Sequence, residues 1–272
     1  MKIYRESLEK MIEITTEYTS QTTDMTIEKT VYDIIQDVIQ NGDAALRAYG
    51  EKFDKVTVEN LKVDQADIDK AYDSIPEDLK AALLKAKANI TEFHAREKEQ
   101  GFVDMDTPGI LRGQKVTPLK RVGLYVPGGT AAYPSTIMMS AIPAKIAGVK
   151  EIVMVTPPQK DGIAPAVLAA AKIAGVDAVY QVGGAQGVAA LAYGTESVPK
   201  VDKIVGPGNI FVATAKRQVF GQVSIDMIAG PSEIGILADD SANPVHLAAD
   251  LLSQAEHDAR ARAILITNSE DL

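Results

Sequence analysis

The sequence has no cysteine and only three histidines in 272 residues. The missing cysteines exclude disulfides, thiolate zinc sites, iron–sulfur clusters and a cysteine nucleophile supplied by this chain. A cytoplasmic location accords with that composition and is the expected one. Imidazole chemistry within these residues must use His94, His246 or His257. Long apolar runs are also missing: no stretch approaches the roughly 18 uncharged apolar residues of a membrane span. The opening, MKIYRESLEKMIEITTEY, breaks every apolar pair with charge. A secretory signal and a spanning helix are thereby excluded. Positive charge is in short supply, with 28 Lys and Arg against 37 Asp and Glu, a net charge of −9. That balance argues against a nucleic-acid or anionic-membrane partner.

What remains is an ordinary globular composition, 46% hydrophobic and 24% charged, long enough for two domains. Charge is unevenly spread: residues 1–100 carry 35 charged side chains and residues 131–230 carry 14. The first part reads as amphipathic helices. Val31, Ile34, Ile35, Val38 and Ile39 share a helical face before an Asn41-Gly42 stop, and Ala45 to Phe53 continues as a second short helix. Asp64 to Ser74 predicts a third, with Asp64 as N-cap. Pro76 opens a fourth, with Leu79, Leu83, Leu84, Ile90 and Phe93 as its apolar face.

From about residue 110 the period changes. KVTPLKRVGLYVPGG alternates like a strand and ends in a Pro-Gly-Gly turn. A helix over 134–147 leads to EIVMVTPP, one over 164–174 to DAVYQVGG, and one over 185–193 to KIVGPGN. After a helix over 209–220, IDMIAGPSEIGILADD reads as two strands around a Gly-Pro turn. A helix over HLAADLLSQAEHDAR follows, with Leu247, Ala248, Leu251, Leu252 and Ala255 expected on one buried face, and then ARAILITN as a strand. This rhythm predicts βαβ units and a parallel sheet covered on both faces. Asn268-Ser269-Glu270 looks like the start of a further helix, so the pattern predicts a piece of a longer chain.

Four glycine turns fall at strand ends: Tyr125-Val126-Pro127-Gly128-Gly129, Val182-Gly183-Gly184-Ala185-Gln186, Gly206-Pro207-Gly208-Asn209 and Gly230-Pro231-Ser232-Glu233. In open α/β sheets, ligands bind outside the carboxyl ends of the strands, where helix N-termini and backbone amides are exposed. None of the four is the G-x-G-x-x-G fingerprint. They are compatible with a nucleotide or anion cleft and with plain βα turn chemistry. Asn209 also suits an N-cap, and Tyr125 could stack on a ligand or pack on the sheet. Ser232 lacks the G-x-S-x-G context of a nucleophile elbow and reads as a hydrogen-bonding residue.

Gln254 and His257 stand three apart, close enough on a helix to share an ion. A zinc site needs three protein ligands, and glutamine is neutral. By spacing alone the pair is a polar helix edge; Asp250 and Asp258 read as solvent-facing, as do His94 and His246.

The ordered set GLYVPGG, GGAQ, KVDKIVGPGN, IDMIAGPSE and DLLSQAEHD closely resembles the histidinol dehydrogenases, from about residue 25 onward. The resemblance implies a zinc enzyme that uses NAD to oxidise L-histidinol to L-histidine through an aldehyde. It implies NAD contacts at Tyr125, Gln186 and Asn209. It implies substrate contacts at Ser232, Gln254 and His257, with Gln254 and His257 also ligating zinc. The family's acid–base Glu-His pair, a further zinc aspartate and a last zinc histidine from the partner subunit of a homodimer have no counterpart here. No catalytic residue is therefore expected before Leu272, and the chain alone is expected to be inactive.

The expected fold is α/β with two Rossmann-like units, akin to aldehyde dehydrogenases, behind an N-terminal helical region, with the second unit truncated. The expected division is an arm over 1–24, an incomplete discontinuous domain of 25–119 plus 233–272, and an inserted Rossmann-like domain over 120–232. A non-catalytic NAD- or metabolite-binding module, or a structural domain binding nothing, would share the βα rhythm.

Overall fold

The computed structural model describes residues 3–19, 25–128, 133–228, 233–256 and 261–272. Helix α1 spans Leu8–Thr19 and α2 spans Met25–Tyr49. Gly42 interrupts α2 with φ 50° and ψ −130°, so the Asn41-Gly42 stop appears as a break inside one long element. Such a backbone suits glycine alone. The Glu196 carboxylate accepts a hydrogen bond from the Asp43 amide at 2.8 Å and so caps the second segment. That segment runs into a π-helical turn, Gly50–Asp54, rather than continuing as α-helix to Phe53.

Helices α3 (Gln65–Ser74) and α4 (Glu77–His94) follow. Asp64 is the N-cap of α3, though through its backbone carbonyl and not its carboxylate. On α4 only Leu83 is fully buried, with Leu79 and Ile90 packed beside it. Leu84 and Phe93 are exposed, contrary to the expected stripe. A short antiparallel pair, β1 (Phe102–Asp104) and β2 (Arg112–Gln114), comes next.

Then the βα rhythm unfolds as read: β3 (Arg121–Tyr125), α5 (Pro134–Ile146), β4 (Glu151–Thr156), α6 (Pro165–Ala174), β5 (Ala178–Gln181), α7 (Gly184–Tyr193), β6 (Lys203–Val205), α8 (Ile210–Val219) and β7 (Ser224–Ile225). The strands form one parallel five-stranded sheet in the order β5-β4-β3-β6-β7. The chain starts in the middle, winds outward one way, and returns to wind the other, which is the doubly wound Rossmann arrangement. Its topological switch point lies between β3 and β6.

Alternate residues of each strand enter different cores. Val153 and Val155 of β4 pack with α7, α8 and α2, whereas Ile152 and Met154 pack with α5, α6, α3 and α4. All four are fully buried. Burying each such side chain contributes about 1.5–3 kcal/mol, so this strand anchors both cores.

The last described elements are β8 (Glu233–Ala238), α9 (Pro244–Ala255) and β9 (Arg262–Thr267), with β8 and β9 pairing in parallel. No residue of α9 is buried: Leu247 and Leu251 are half-buried, and Ala248, Leu252 and Ala255 are exposed. The expected buried stripe is not formed there. Residues 268–272 contain no helix. Among the described residues no helix is long and apolar enough to cross a membrane.

Candidate functional site

The switch point gathers three of the glycine turns. At the end of β3, Tyr125 is buried, and its hydroxyl accepts a hydrogen bond from the Gly184 amide at 3.0 Å. The ring therefore packs on the sheet and braces the first turn of α7; its remaining hydroxyl proton is free to be donated. Burial pushes the Tyr125 phenol up to about 12, partly offset by the Gly184 amide and reinforced by the negative charge of Asp54.

Gln186, in the first turn of α7, is only 2% exposed, yet its Oε1 has no hydrogen-bond partner among the described residues. That oxygen lies 2.5 Å from where a Cβ on Gly184 would stand, so a side chain at 184 would collide with it. A buried amide oxygen without a donor costs about 1–3 kcal/mol. Such an atom at a helix N-terminus, outside the carboxyl end of a parallel sheet, is what a ligand's donor would satisfy.

The third turn is held by an ion pair between a buried lysine and a solvent-accessible aspartate, which sequence reasoning missed. Gly206 has φ +113°, and a Cβ there would lie 2.1 Å from the Tyr125 carbonyl oxygen, so only glycine lets β6 leave the sheet beside β3. Lys216 of α8, 2% exposed, donates to the Gly206 carbonyl at 2.9 Å and pairs with Asp226. Asp226 in turn accepts from the Gly206 amide at 2.8 Å. Both polar groups of one glycine are thus fixed by two opposite charges that neutralise each other. The signal for Lys216 was present in the sequence: it falls on the Val212–Val219 face of α8, where an apolar residue would be expected.

Asn209 is the N-cap of α8, its Oδ1 accepting from the Phe211 and Val212 amides at 3.0 and 3.1 Å. The capping role anticipated for it is real, and it leaves the side-chain NH2 to meet a ligand. Tyr125, Gln186 and Asn209 therefore converge on one edge of one sheet. Together they offer a ligand an amide oxygen, an amide NH2 and a hydroxyl proton.

The expected substrate and metal residues are elsewhere. Gln254 sits half-buried in the last turn of α9, whose packing partners are β8 and β9. Ser232 and His257 lie outside the described residues. Among those described, no three His, Cys, Asp or Glu side chains are grouped to hold a metal ion. His94 is engaged by Glu97, and His246 is exposed.

The family's sequence model for histidinol dehydrogenase matches residues 17–272. The chain belongs to the histidinol dehydrogenase family. It is 73% identical over 232 residues to the histidinol dehydrogenase of Lactiplantibacillus plantarum, covering 85% of this chain and 54% of that protein. It is 64% identical over 231 residues to that of Streptococcus mutans, with the same coverages. The crystal structure of histidinol dehydrogenase from Elizabethkingia anophelis superposes with a TM-score of 0.83 at 40% identity, covering 93% of this chain and 58% of that one. The chain spans about half the length of the curated relatives it matches.

Proposed function

We propose that this chain supplies the cofactor-binding part of an enzyme that oxidises L-histidinol to L-histidine through L-histidinaldehyde, the last step of histidine biosynthesis. The observation that carries the reading is the orphaned Gln186 oxygen, in a switch-point cleft of a chain so similar to proteins named histidinol dehydrogenase. NAD would serve as the hydride acceptor in both oxidations, of the alcohol and of the hydrated aldehyde. Overall, L-histidinol, two NAD+ and one water give L-histidine, two NADH and three protons.

The residues present fit a dinucleotide. Gln186 takes a donor through Oε1, Asn209 donates from its free NH2, and Tyr125 keeps its hydroxyl proton available while fixing the α7 terminus. The Lys216–Asp226 pair holds the intervening turn without itself reaching the ligand.

The described residues do not by themselves fit zinc, since they offer only the neutral amide of Gln254. In our reading Gln254 and His257 are two ligands of an ion that needs further ligands, and with Ser232 they contact the substrate. The Gly-Pro-Glu-His stretch of the family's acid–base pair does not occur in the 272 residues, so the chain alone binds dinucleotide without turnover. The same reading carries a cytoplasmic location, a homodimer in the intact protein, and a discontinuous domain of 25–119 plus 233–272 around the sheet domain.

Two measurements test this. A longer protein containing this chain, loaded with zinc, forms two NADH per L-histidinol consumed; no turnover would overturn the dehydrogenase reading. Calorimetry on the 272-residue chain shows NAD+ binding, while an absence of binding would leave only a structural α/β domain.

A further inference from the structure

Asp54 takes no part in the chemistry above, yet its position is unusual. It closes the π-helical turn Gly50–Asp54, after which Lys55 adopts φ 58°. Its Oδ2 is buried and has no hydrogen-bond partner among the described residues. Burial pushes its carboxyl up to about 6, so at neutral pH it is still mainly a carboxylate held without a donor.

Two observations put this turn at the cleft. A Cβ on Gly50 would lie 4.0 Å from Pro158, which follows β4 at the carboxyl end of the sheet. The Asp54 charge also acts on the Tyr125 hydroxyl, the group bonded to the Gly184 amide. Two buried acceptors thus lack a donor among the described residues, Asp54 Oδ2 on a turn packed against Pro158 and Gln186 Oε1 in the first turn of α7.

Unsatisfied acceptors ask for donors. A diphosphate brings only acceptors and negative charge, which a carboxylate repels; the hydroxyls of a ribose bring donors. We propose that Asp54 is a cofactor-specificity residue whose carboxylate accepts a hydrogen bond from a ribose hydroxyl of the dinucleotide. If that ribose is the adenosine one, a 2′-phosphate would place a dianion against Asp54 and be rejected. This inference rests on the dinucleotide reading of the cleft.

The test is equilibrium binding of NAD+ and NADP+ to the 272-residue chain and to Asp54→Asn and Asp54→Ala. Loss of the charged acceptor weakens NAD+ by about tenfold or more, the range of a hydrogen bond to a charged group. A preference for NAD+ over NADP+ that collapses in Asp54→Asn assigns the adenosine ribose. Weaker NAD+ binding with an unchanged preference assigns the nicotinamide ribose. Either result supports the proposal. Melting of the ligand-free proteins runs alongside: Asp54→Asn, having lost an unpaired buried charge, melts no lower than the parent, which separates binding from folding.

Should Asp54→Ala fail to fold, Asp54→Asn still decides. NAD+ affinity within twofold of the parent in a folded variant overturns the role of Asp54 while leaving the cleft intact. A parent chain that binds no NAD+ overturns the dinucleotide reading and this inference with it.

Discussion

The five-stranded sheet and the β8–α9–β9 unit are built from the same grammar, parallel strands rich in Val, Ile and Leu joined through a helix, yet they are buried very differently. Ile152 through Val155 of β4 are wholly buried, whereas Leu237 of β8 is 83% exposed and Ile266 of β9 60%. The difference lies in coverage. Helices lie on both faces of the sheet, with α2, α3 and α4 outside them. The second unit has α9 as its principal packing partner among the described residues. Strand pairing is therefore a local consequence of sequence, but burial depends on what lies against the strand. The same division separates the two groups of proposed ligand residues. Tyr125, Gln186 and Asn209 are held by a packed core, and Gln254 is not.

The contrast can be broken most severely at its best-packed side. Ile152→Ala in β4 costs about 2–5 kcal/mol of unfolding free energy by urea titration, while Leu237→Ala in β8 changes it by less than about 0.5 kcal/mol. Equal costs would mean that the second unit is as tightly packed as the first. Close behind is Lys216→Met, which removes the donor to the Gly206 carbonyl and the partner of the solvent-accessible Asp226 and costs about 1.5–3 kcal/mol. Replacing both charges together, as Lys216→Met with Asp226→Leu, recovers much of that loss. A double mutant no better than the single one would show that the pair does not act as a unit.

Asp54 sharpens the comparison in the opposite direction, because here the packed side carries an unsatisfied group. Its pKa of about 6 lies above the value of about 3.9 for an unfolded aspartate, so the folded state binds the proton more tightly. The sign follows: this group makes the protein more stable as pH falls from above 6 towards 4, and less stable as pH rises. Asp54→Asn removes that slope and raises the melting temperature at pH 7.5, with a gain of about 1 kcal/mol once partial exposure is allowed for. A melting curve whose pH dependence between 4 and 7 is unchanged in Asp54→Asn would contradict the assignment. The smallest expected change is Asn209→Ala, about 1 kcal/mol for a lost N-cap, read by thermal melting.

Much of this architecture was legible beforehand, for identifiable reasons. The βα rhythm could be read because a sheet covered on both faces demands continuous apolar strands, and EIVMVT is one. The turns could be read because glycine and proline punctuate strand ends. The Gly42 break and the capping by Asn209 followed from local chemistry. What escaped depends on contacts distant in sequence. Nothing near Asp226 announces that it will meet Lys216, and nothing in GEKFD announces that its turn will pack against Pro158 at the end of β4. The apolar residues of α9 and the outer ones of α4 show the converse limit, for their helical periodicity is real although no neighbour among the described residues completes the burial.

The central claim is that the switch point of the five-stranded sheet is a dinucleotide cleft already formed in this chain, independent of the β8–α9–β9 unit. Amide hydrogen exchange with and without NAD+ tests it most directly. NAD+ is expected to slow exchange in the first turns of α7 and α8, around residues 183–187 and 206–212, and to leave β8, α9 and β9 unchanged. Protection confined to β8, α9 and β9, or no protection at either helix N-terminus, would contradict it.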